Sequence, residues 1–565
     1  MRSLRRVPSN RGLSLLLPLI MGALAAVLVT DGAMLWPGNI VWLQHADLAQ
    51  SYLGWAFYRH DAWTLPFGAA PSYGLEFHSS VYYSDSIPLL AMVLKPIAAW
   101  LPEPFQYFGL WVVLCFALQA LFAWKLLSLA TNNVTARVLG GVFFVIAPPL
   151  LMRLGGHMAL VAQWAILAAL YLYLRPTTKH QDRWWTALVA MAMLIHAYIF
   201  LMVGAVWAAD ILRRFLPARG LRAGTMLPWR DAAIEIAQVL AATLAVAWLA
   251  GFFMIPSRGM QAEGFGYYKM NLLAPFNGAG WSSLGLAFGE APGEYEGFNY
   301  FGAGGLLLLL SALPAWWITR ARVPDRRPIW PLVAVALGLA LFAVTPTIGF
   351  GSHQWHLPLP VWLQTRLAHS SIQATGRLFW VAYYALLAGA FMVLARALPA
   401  RWLTTLLCVA VALQLVDIGP AVMGLRTTLE TRAAVDDATH LTGPFWSQAG
   451  SRYTRLRLVP TRILAPGWEV LARFALEHRM STDDIQVARA DWKVFNRVRA
   501  EQLQRLSSGA PEEQTLYVLD SSIIDVVARA ARPQDAVFTL DGIHLLAPDW
   551  NQPLPAGAVD LKPPH

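Results

Sequence analysis

Apolar runs of about 20 residues recur between residues 13 and 420, and each is long enough to cross a bilayer. A chain patterned in this way is restricted to a polytopic bundle of membrane helices. The first run, Leu13 to Val29, follows the basic start MRSLRRVPSNRG and precedes TDGAMLWPG. It is longer than a signal-peptide core of about 7–15 residues, and the segment after it is a poor small-residue cleavage site. The run therefore reads as a retained span with its start in the cytoplasm.

Composition agrees. Of 565 residues, 57% are hydrophobic and 13% charged, against about 25% charged in a soluble protein. The 25 tryptophans suit membrane-interface belts, where an amphipathic ring is favoured. The net charge of +10 needs no nucleic-acid partner, because the basic residues crowd into short loops, as membrane orientation requires. Cys115 and Cys408 lie inside apolar runs and outline no disulfide framework.

The loops are of two kinds. RPTTKHQDR (175–183), RRFLPARGLRAGTMLPWR (213–230), TRARVPDRRP (319–328) and RALPAR (396–401) are short and basic. Residues 32–86, 257–300 and 347–375 are long, polar and aromatic. Positive charge stays inside, so the first kind is cytoplasmic and the second external. The run Trp184 to Leu212 lies between two basic loops; two short helices meeting near IHAY (195–198) keep both loops inside. The run Pro88 to Leu101 is short, contains Lys95 and Pro96, and reads as a re-entrant or interfacial helix. The expectation is about eleven spans, with the N-terminus inside and the C-terminus outside.

After Pro420 the composition becomes that of a soluble protein. RYTRLRLVP and TLYVLD have strand character, WEVLARFALEH and IIDVVARAA have helical periodicity, and AVFTLDGIHLL reads as a hairpin turning on Asp541-Gly542. The expected organisation is a mainly α transmembrane domain, residues 1–420, with a first outer loop at 32–86. A small extracytoplasmic α/β domain, residues 421–565, follows. That domain has no Walker loop, dinucleotide fingerprint or zinc spacing.

The first outer loop holds IVWLQHADLAQSYLGWAFYRHDAW, residues 40–63, which sets Asp47, two histidines and an arginine among aromatic residues. Read as a helix over 46–59, it aligns Asp47, Gln50 or Ser51, and Gly54 on one face. Trp55, Phe57 and Tyr58 are then free to lie in the membrane interface. Asp47 reads either as a helix cap or solvated acid, or as a catalytic base or metal ligand. Asp85, at the loop's end, reads as a second carboxylate or as the cap of the helix starting near Pro88.

This layout resembles the GT-C class of membrane glycosyltransferases. DLAQSYLGWAFYR, YSDSIPLLAMVLKP, FQYFGLW, GEYEGFNYFGAG and ATGRLFW are similar to a family of bacterial polytopic proteins grouped with that class. The resemblance covers roughly residues 10–420. It implies a sugar donor linked to polyprenyl phosphate. It also implies an acid in the first outer loop that deprotonates the acceptor or helps hold a divalent metal, Mg or Mn. Asp47 matches that acid by position. The loop departs from the pattern in lacking an Asp-Glu or Asp-x-Asp pair, which puts metal dependence in question.

Glycosyl transfer passes through an oxocarbenium-like state. A carboxylate can take the acceptor proton, and the departing lipid phosphate needs positive charge. Cations on the outer side are Arg153, Arg258, Lys269, Arg366 and Arg377. Arg377, at the outer mouth of a span, is the first candidate for the phosphate, against plain headgroup snorkelling. Lys269 and Arg258 read more simply as headgroup-snorkelling residues or loop salt-bridge partners. His157 and His196 share the outer level, while His353, His356 and His369 share a loop without metal spacing. Glu296, with Glu294, precedes a span and reads as a cavity residue or as part of a solvated acidic loop. Arg455, Arg457 and Arg462 read as solvated or as facing anionic headgroups.

These readings lead to a transferase in the bacterial inner membrane. It would pass a sugar to an envelope glycan or lipid acceptor at the outer face, with membrane lipids around it. Two alternatives stand beside it. A flippase for lipid-linked saccharides predicts charges at mid-membrane and repeat symmetry, and neither is legible. A non-catalytic envelope-assembly scaffold needs no acid pair.

Overall fold

The computed structural model describes residues 13–216, 226–255, 264–319, 328–368, 372–462 and 465–563. The chain forms two compact units. One comprises Met1–Asn39, Gln106–Val246 and Ala262–Ala434; the other comprises Ile40–Phe105, Ala247–Gln261 and Val435–His565.

The first unit is built of apolar helices. Among the described residues, Phe108–Leu127, Trp229–Leu249, Thr375–Ala397 and Ala400–Ala434 are long and apolar enough to cross a membrane. Val134–Val145 and Pro148–Gly155 make a fifth if a pair bent by 46° is one span. The bend falls at Ala147-Pro148-Pro149, where proline lacks the donor that would continue the helix. Leu15–Thr30, Met158–Leu174, Gly302–Ile318 and Trp330–Val344 are shorter apolar helices. The sequence expects about eleven spans; length and composition alone qualify four or five. Leu240, Leu244 and Trp248 on one long helix, and Val409, Leu415 and Val416 on another, are exposed. An apolar surface of this kind is stable against lipid and costly against water.

Helices Gln181–Ile195 and Ala197–Phe215 meet at His196, inside the expected 195–198 segment. Asp210, buried on the second of these, accepts from Trp185 Nε1 at 2.8 Å and pairs with Arg213 and Arg214. A small antiparallel ribbon, β1 (Thr347–Phe350) and β2 (His353–His356), completes this unit.

The second unit is an α/β structure joined by the first long loop. Its strands are β3 (Arg455–Val459), β4 (Ser481–Thr482), β5 (Thr515–Leu519), β6 (Ala536–Leu540), β7 (Ile543–Ala547) and β8 (Val559–Asp560). The order is β4-β3-β5-β7-β6-β8, with β3, β4 and β5 parallel and the remaining pairings antiparallel. Asp541 and Gly542 both have positive φ, 51° and 75°, which lets a two-residue turn join β6 to β7. Val459, Tyr517, Leu519, Val537 and Leu546 form its core with Val527 of helix Ile524–Ala530.

Loop residues 40–105 belong to this unit because their backbone is tied to it. Tyr73 bridges Thr482, Thr482 N donates to Ser72 O at 2.9 Å, and Ala488 N donates to Tyr83 O at 2.8 Å. Arg457, read from sequence as solvated or headgroup-facing, is instead buried between carboxylates. It donates to Asp483 at 2.9 Å and to Glu76 at 2.5 and 3.1 Å, with Glu512 3.3 Å away. A buried guanidinium is stable only where counter-charges surround it in this way. Arg462 pairs with Asp520, and Arg455 lies 3.5 Å from Glu512.

Candidate functional site

Three short 3-10 turns at helix ends in the first unit carry a set of converging charges. Arg153 lies on Met152–Gly155, beyond the proline bend. Glu296 lies on Glu294–Gly297, ahead of Gly302–Thr319, and Arg377 lies on Thr375–Phe379, ahead of Trp380–Ala397. Such turns give up helical bonds, and irregular backbone within a membrane domain persists only where protein surrounds it or a cavity uses it.

Glu296 is the centre. Its Oε2 accepts from Arg153 Nη1 at 2.6 Å and from Arg377 Nε at 2.9 Å. Its backbone carbonyl accepts from Arg153 Nη2 at 3.2 Å, and His157 Nε2 is 3.4 Å from Oε1. All three charged side chains are buried, and His157 is partly exposed at 27%. Burial on its own would raise the Glu296 carboxyl. Arg377 and Arg153, with a hydrogen bond from His157, outweigh it and hold the group well below the usual carboxylate range.

Two glycines let these turns meet. A Cβ on Gly376 would sit 2.4 Å from the Gly297 Cα, and one on Gly297 would sit 2.4 Å from the Lys269 carbonyl oxygen. Asn299 Nδ2 stitches the contact, donating to Gly376 O at 3.1 Å and Gly297 O at 2.8 Å. Aromatic faces complete it. Trp380 lies 5.6 Å from the Arg153 guanidinium, and Tyr198 lies 5.2 Å from that of Arg377. Tyr198 also stacks on His196, whose Nδ1 accepts from the Tyr198 backbone N–H at 3.0 Å. Lys269 pairs with the buried Glu294 at 3.1 Å. Glu294 and Glu296 are thus both paired and buried, not part of a solvated acidic loop.

In the second unit, Asp47 lies in the first turn of helix Ala46–Tyr58 and is half-buried. Its Oδ1 accepts from Gln486 Nε2 at 3.2 Å, across 439 residues of sequence. The remainder of the helix is not interfacial: Trp55, Phe57 and Tyr58 are buried. Trp55 Nε1 donates to Phe105 O at 3.1 Å, and Tyr58 Oη donates to Phe67 O at 2.8 Å. The other polar groups of the motif also have partners. Arg59 donates to the carbonyls of Ala98, Leu101 and Pro102, and so closes the end of the Lys95–Trp100 turn. His60 lies 3.0 Å from Glu103, and His45 lies 2.8 Å from Asp437.

Asp85 is half-buried with φ 54°. The N-cap of helix Pro88–Leu94 is Ile87, two residues after Asp85. Ser86 Oγ donates to Ser51 O at 2.7 Å, which sets the Asp85 segment one helical turn from Asp47. Among the described residues no three His, Cys, Asp or Glu side chains converge to hold a metal ion. Asp47 accepts from the Gln486 amide N–H, and no cluster of carboxylates among the described residues surrounds it with the oxygen ligands that Mg or Mn takes.

Arg366, His353 and His356 are exposed, and Arg258 and His369 lie outside the described residues. Sequence reasoning missed Gln486 and Tyr198, which carry no local signal. It also missed Asp417, buried in the long helix Ala400–Ala434. Asp417 accepts from Tyr300 Oη at 2.6 Å, Ser282 Oγ at 2.5 Å and Ala303 N at 2.8 Å. An isolated acid inside an apolar run was the available signal.

Residues 19–419 match the family model described as "Domain of unknown function (DUF6311)", and residues 445–548 match the model of the DUF6311 C-terminal domain. No curated protein matches the chain. Two solved structures of an Archaeoglobus fulgidus oligosaccharyltransferase are distantly similar. One is AglB in complex with an inhibitory peptide and a dolichol-phosphate, with 12% identity and a TM-score of 0.38 over 97% of this chain and 75% of that chain. The other is tethered through a disulfide bond to an acceptor peptide containing the NVT sequon, with 14% identity and a TM-score of 0.37 over the same shares.

Proposed function

This chain belongs to the DUF6311 family, and we propose that it is a membrane glycosyltransferase using a polyprenyl-phosphate-linked sugar. The acceptor is an envelope glycan or lipid, and transfer occurs at the outer face of the bacterial inner membrane. The observation that carries this reading is the convergence of Arg153 and Arg377 on one oxygen of buried Glu296. Paired guanidiniums in a low-dielectric site are suited to phosphate oxygens, because their planar forks match the anion and their charge is weakly screened.

On this reading the bond between the sugar's anomeric carbon and the lipid phosphate oxygen breaks as the acceptor oxygen attacks. The electron pair stays on the phosphate, and Arg153 and Arg377 stabilise it there. Glu296 holds both guanidiniums in place before the donor arrives, and His157 supplies a further donor at the edge. His196 orients Tyr198 under Arg377, and Lys269 with Glu294 fixes the strand of chain behind Gly297. The GT-C resemblance assigns the acceptor's hydroxyl proton to Asp47, whose orientation Gln486 holds within the second unit, with Asp85 the second carboxylate of that segment.

The test is glycan analysis of the host envelope for wild type, a deletion, Asp47→Asn and Arg377→Lys, with each protein's abundance checked in membranes. The deletion and Asp47→Asn are expected to lose the same sugar, and Arg377→Lys to reduce it at least ten-fold. A deletion phenotype that both full-length variants fail to reproduce sinks the transferase reading and leaves a transporter or scaffold.

A further inference from the structure

The sheet of the second unit ends in a cavity that the chemistry above does not use. It lies at the carboxyl ends of β3 and β5 and beside the segment after β4, has a volume of about 400 Å³, and is bordered by the β6–β7 turn. The chain leaves β3 towards β4 on one side, whereas it leaves β5 towards β6 on the other. Adjacent parallel strands whose connections part in this way open a crevice, and open α/β sheets bind ligands there. A volume of this size accommodates a small ligand.

Asp484 is the informative wall residue. It follows β4, is fully buried, and neither carboxylate oxygen has a hydrogen-bond partner among the described residues. Burial, then the neighbouring charges of Asp483 and Glu469, push its carboxyl up to about 8. Adjacent Asp483 differs in being bonded to Arg457 and to the Leu458 backbone N–H. An unpartnered buried acid is costly to a fold, and one in a cavity wall is accounted for by a ligand that donates to it.

The rest of the wall identifies the ligand's chemistry. Asp520 and Asp541 present further acceptors; Asp520 is held by Arg462 and Ser522, and Asp541 by Trp446 Nε1 at 2.8 Å. Arg462 and the Ser521 hydroxyl present donors, and Leu471 and Val518 add apolar surface. An ammonium ligand could use only the acceptors, and a phosphate only the donors. Hydroxyl groups use both, since each donates one hydrogen bond and accepts others. We propose that this cavity binds a saccharide, one hydroxyl of which donates to Asp484. The proposal stands apart from the transferase reading: a scaffold with this cavity binds sugar too.

The test uses the full chain in a sugar-free zwitterionic detergent. Ligand-observed NMR follows titration with glucose, mannose, galactose, rhamnose and N-acetylglucosamine, with butylamine and inorganic phosphate alongside. At least one sugar is expected to bind saturably. Its Kd rises ten-fold or more in Asp484→Leu, which keeps the branched shape and removes both acceptors, and several-fold in Ser521→Ala. The unfolding temperature of Asp484→Leu is expected at or above that of wild type. Binding of none of the five sugars, undiminished binding by both variants, or binding of butylamine or phosphate alone overturns the proposal. Should Asp484→Leu fail to fold, the Ser521→Ala titration decides alone. Loss of transfer in Asp47→Asn with sugar binding intact would leave this inference standing and separates the two readings.

Discussion

Glu296 holds two guanidiniums on a single carboxylate oxygen, and its worth can be read by titration. Its carboxyl is held below the ordinary value of 4.5 in the folded protein. The stabilisation it contributes is therefore present above about pH 4.5 and is lost as pH falls below it. Glu296→Gln leaves two buried guanidiniums without their anion, a loss of about 3–5 kcal/mol for a broken buried pair. Thermal unfolding in detergent is expected to show a lower Tm for Glu296→Gln at pH 7, with the gap narrowing as pH is lowered under 4.5. An unchanged gap across that range would mean that Glu296 is not ionised between its arginines. At this scale the sequence was informative in one respect. Arg153, Arg377 and Glu296 stand out as charges at the ends of apolar runs, where an unsatisfied ion is costly. Which carboxylate serves which arginine was not legible, because 143 and 81 residues of sequence separate the partners.

The 3-10 turns that carry these charges are short, and two glycines decide whether they meet. Gly376→Ala would drive a Cβ into the Gly297 backbone, where no flexible side chain can give way. The expected cost is about 1–3 kcal/mol of overpacking. A matching fall in Tm is expected, together with a loss of the glycan phenotype's rescue in the deletion strain. Wild-type stability and rescue would show that the turns meet differently. The helix pair Gln181–Ile195 and Ala197–Phe215 breaks at His196. Loop charge on both sides placed it, since one continuous helix would have put a basic loop outside. The helix Ala46–Tyr58 shows the reverse. Its aromatic residues read as interfacial, yet they are buried against Phe105, Tyr73 and Phe67. An aromatic side chain suits an interface and a protein core equally, so residue type could not choose between them.

For the whole molecule, the distribution of lysine and arginine predicts an orientation that reporter tags can check. Reporter tags after Lys179 and within residues 217–225 should both read from the cytoplasmic side. If either reads from outside, the helix pair meeting at His196 crosses the membrane as one span, and every later loop changes side. The division into units was less accessible. The expected boundary at residue 420 falls inside the helix Ala400–Ala434, and loop residues 40–105 group with residues 435–565. The ties that draw them together are backbone bonds at Ser72, Tyr73 and Tyr83. Backbone groups are the same in every residue, so composition carries no trace of such pairings.

What could be read from the chain alone is local. Apolar run length marks helices long enough to cross a bilayer, loop charge predicts a side, and alternation with turn residues marks the β6–β7 hairpin at Asp541-Gly542. These are local properties, set by transfer free energy and by the φ angles a residue tolerates. Which charges share a site depends on the folded chain. It brought Arg153, His157 and Arg377 to Glu296, gave Gln486 to Asp47, and left Asp484 in a cavity wall without a hydrogen-bond partner among the described residues. Those outcomes depend on distances between residues far apart in the chain, and a buried ion is stable only where the folded backbone supplies its counter-charge.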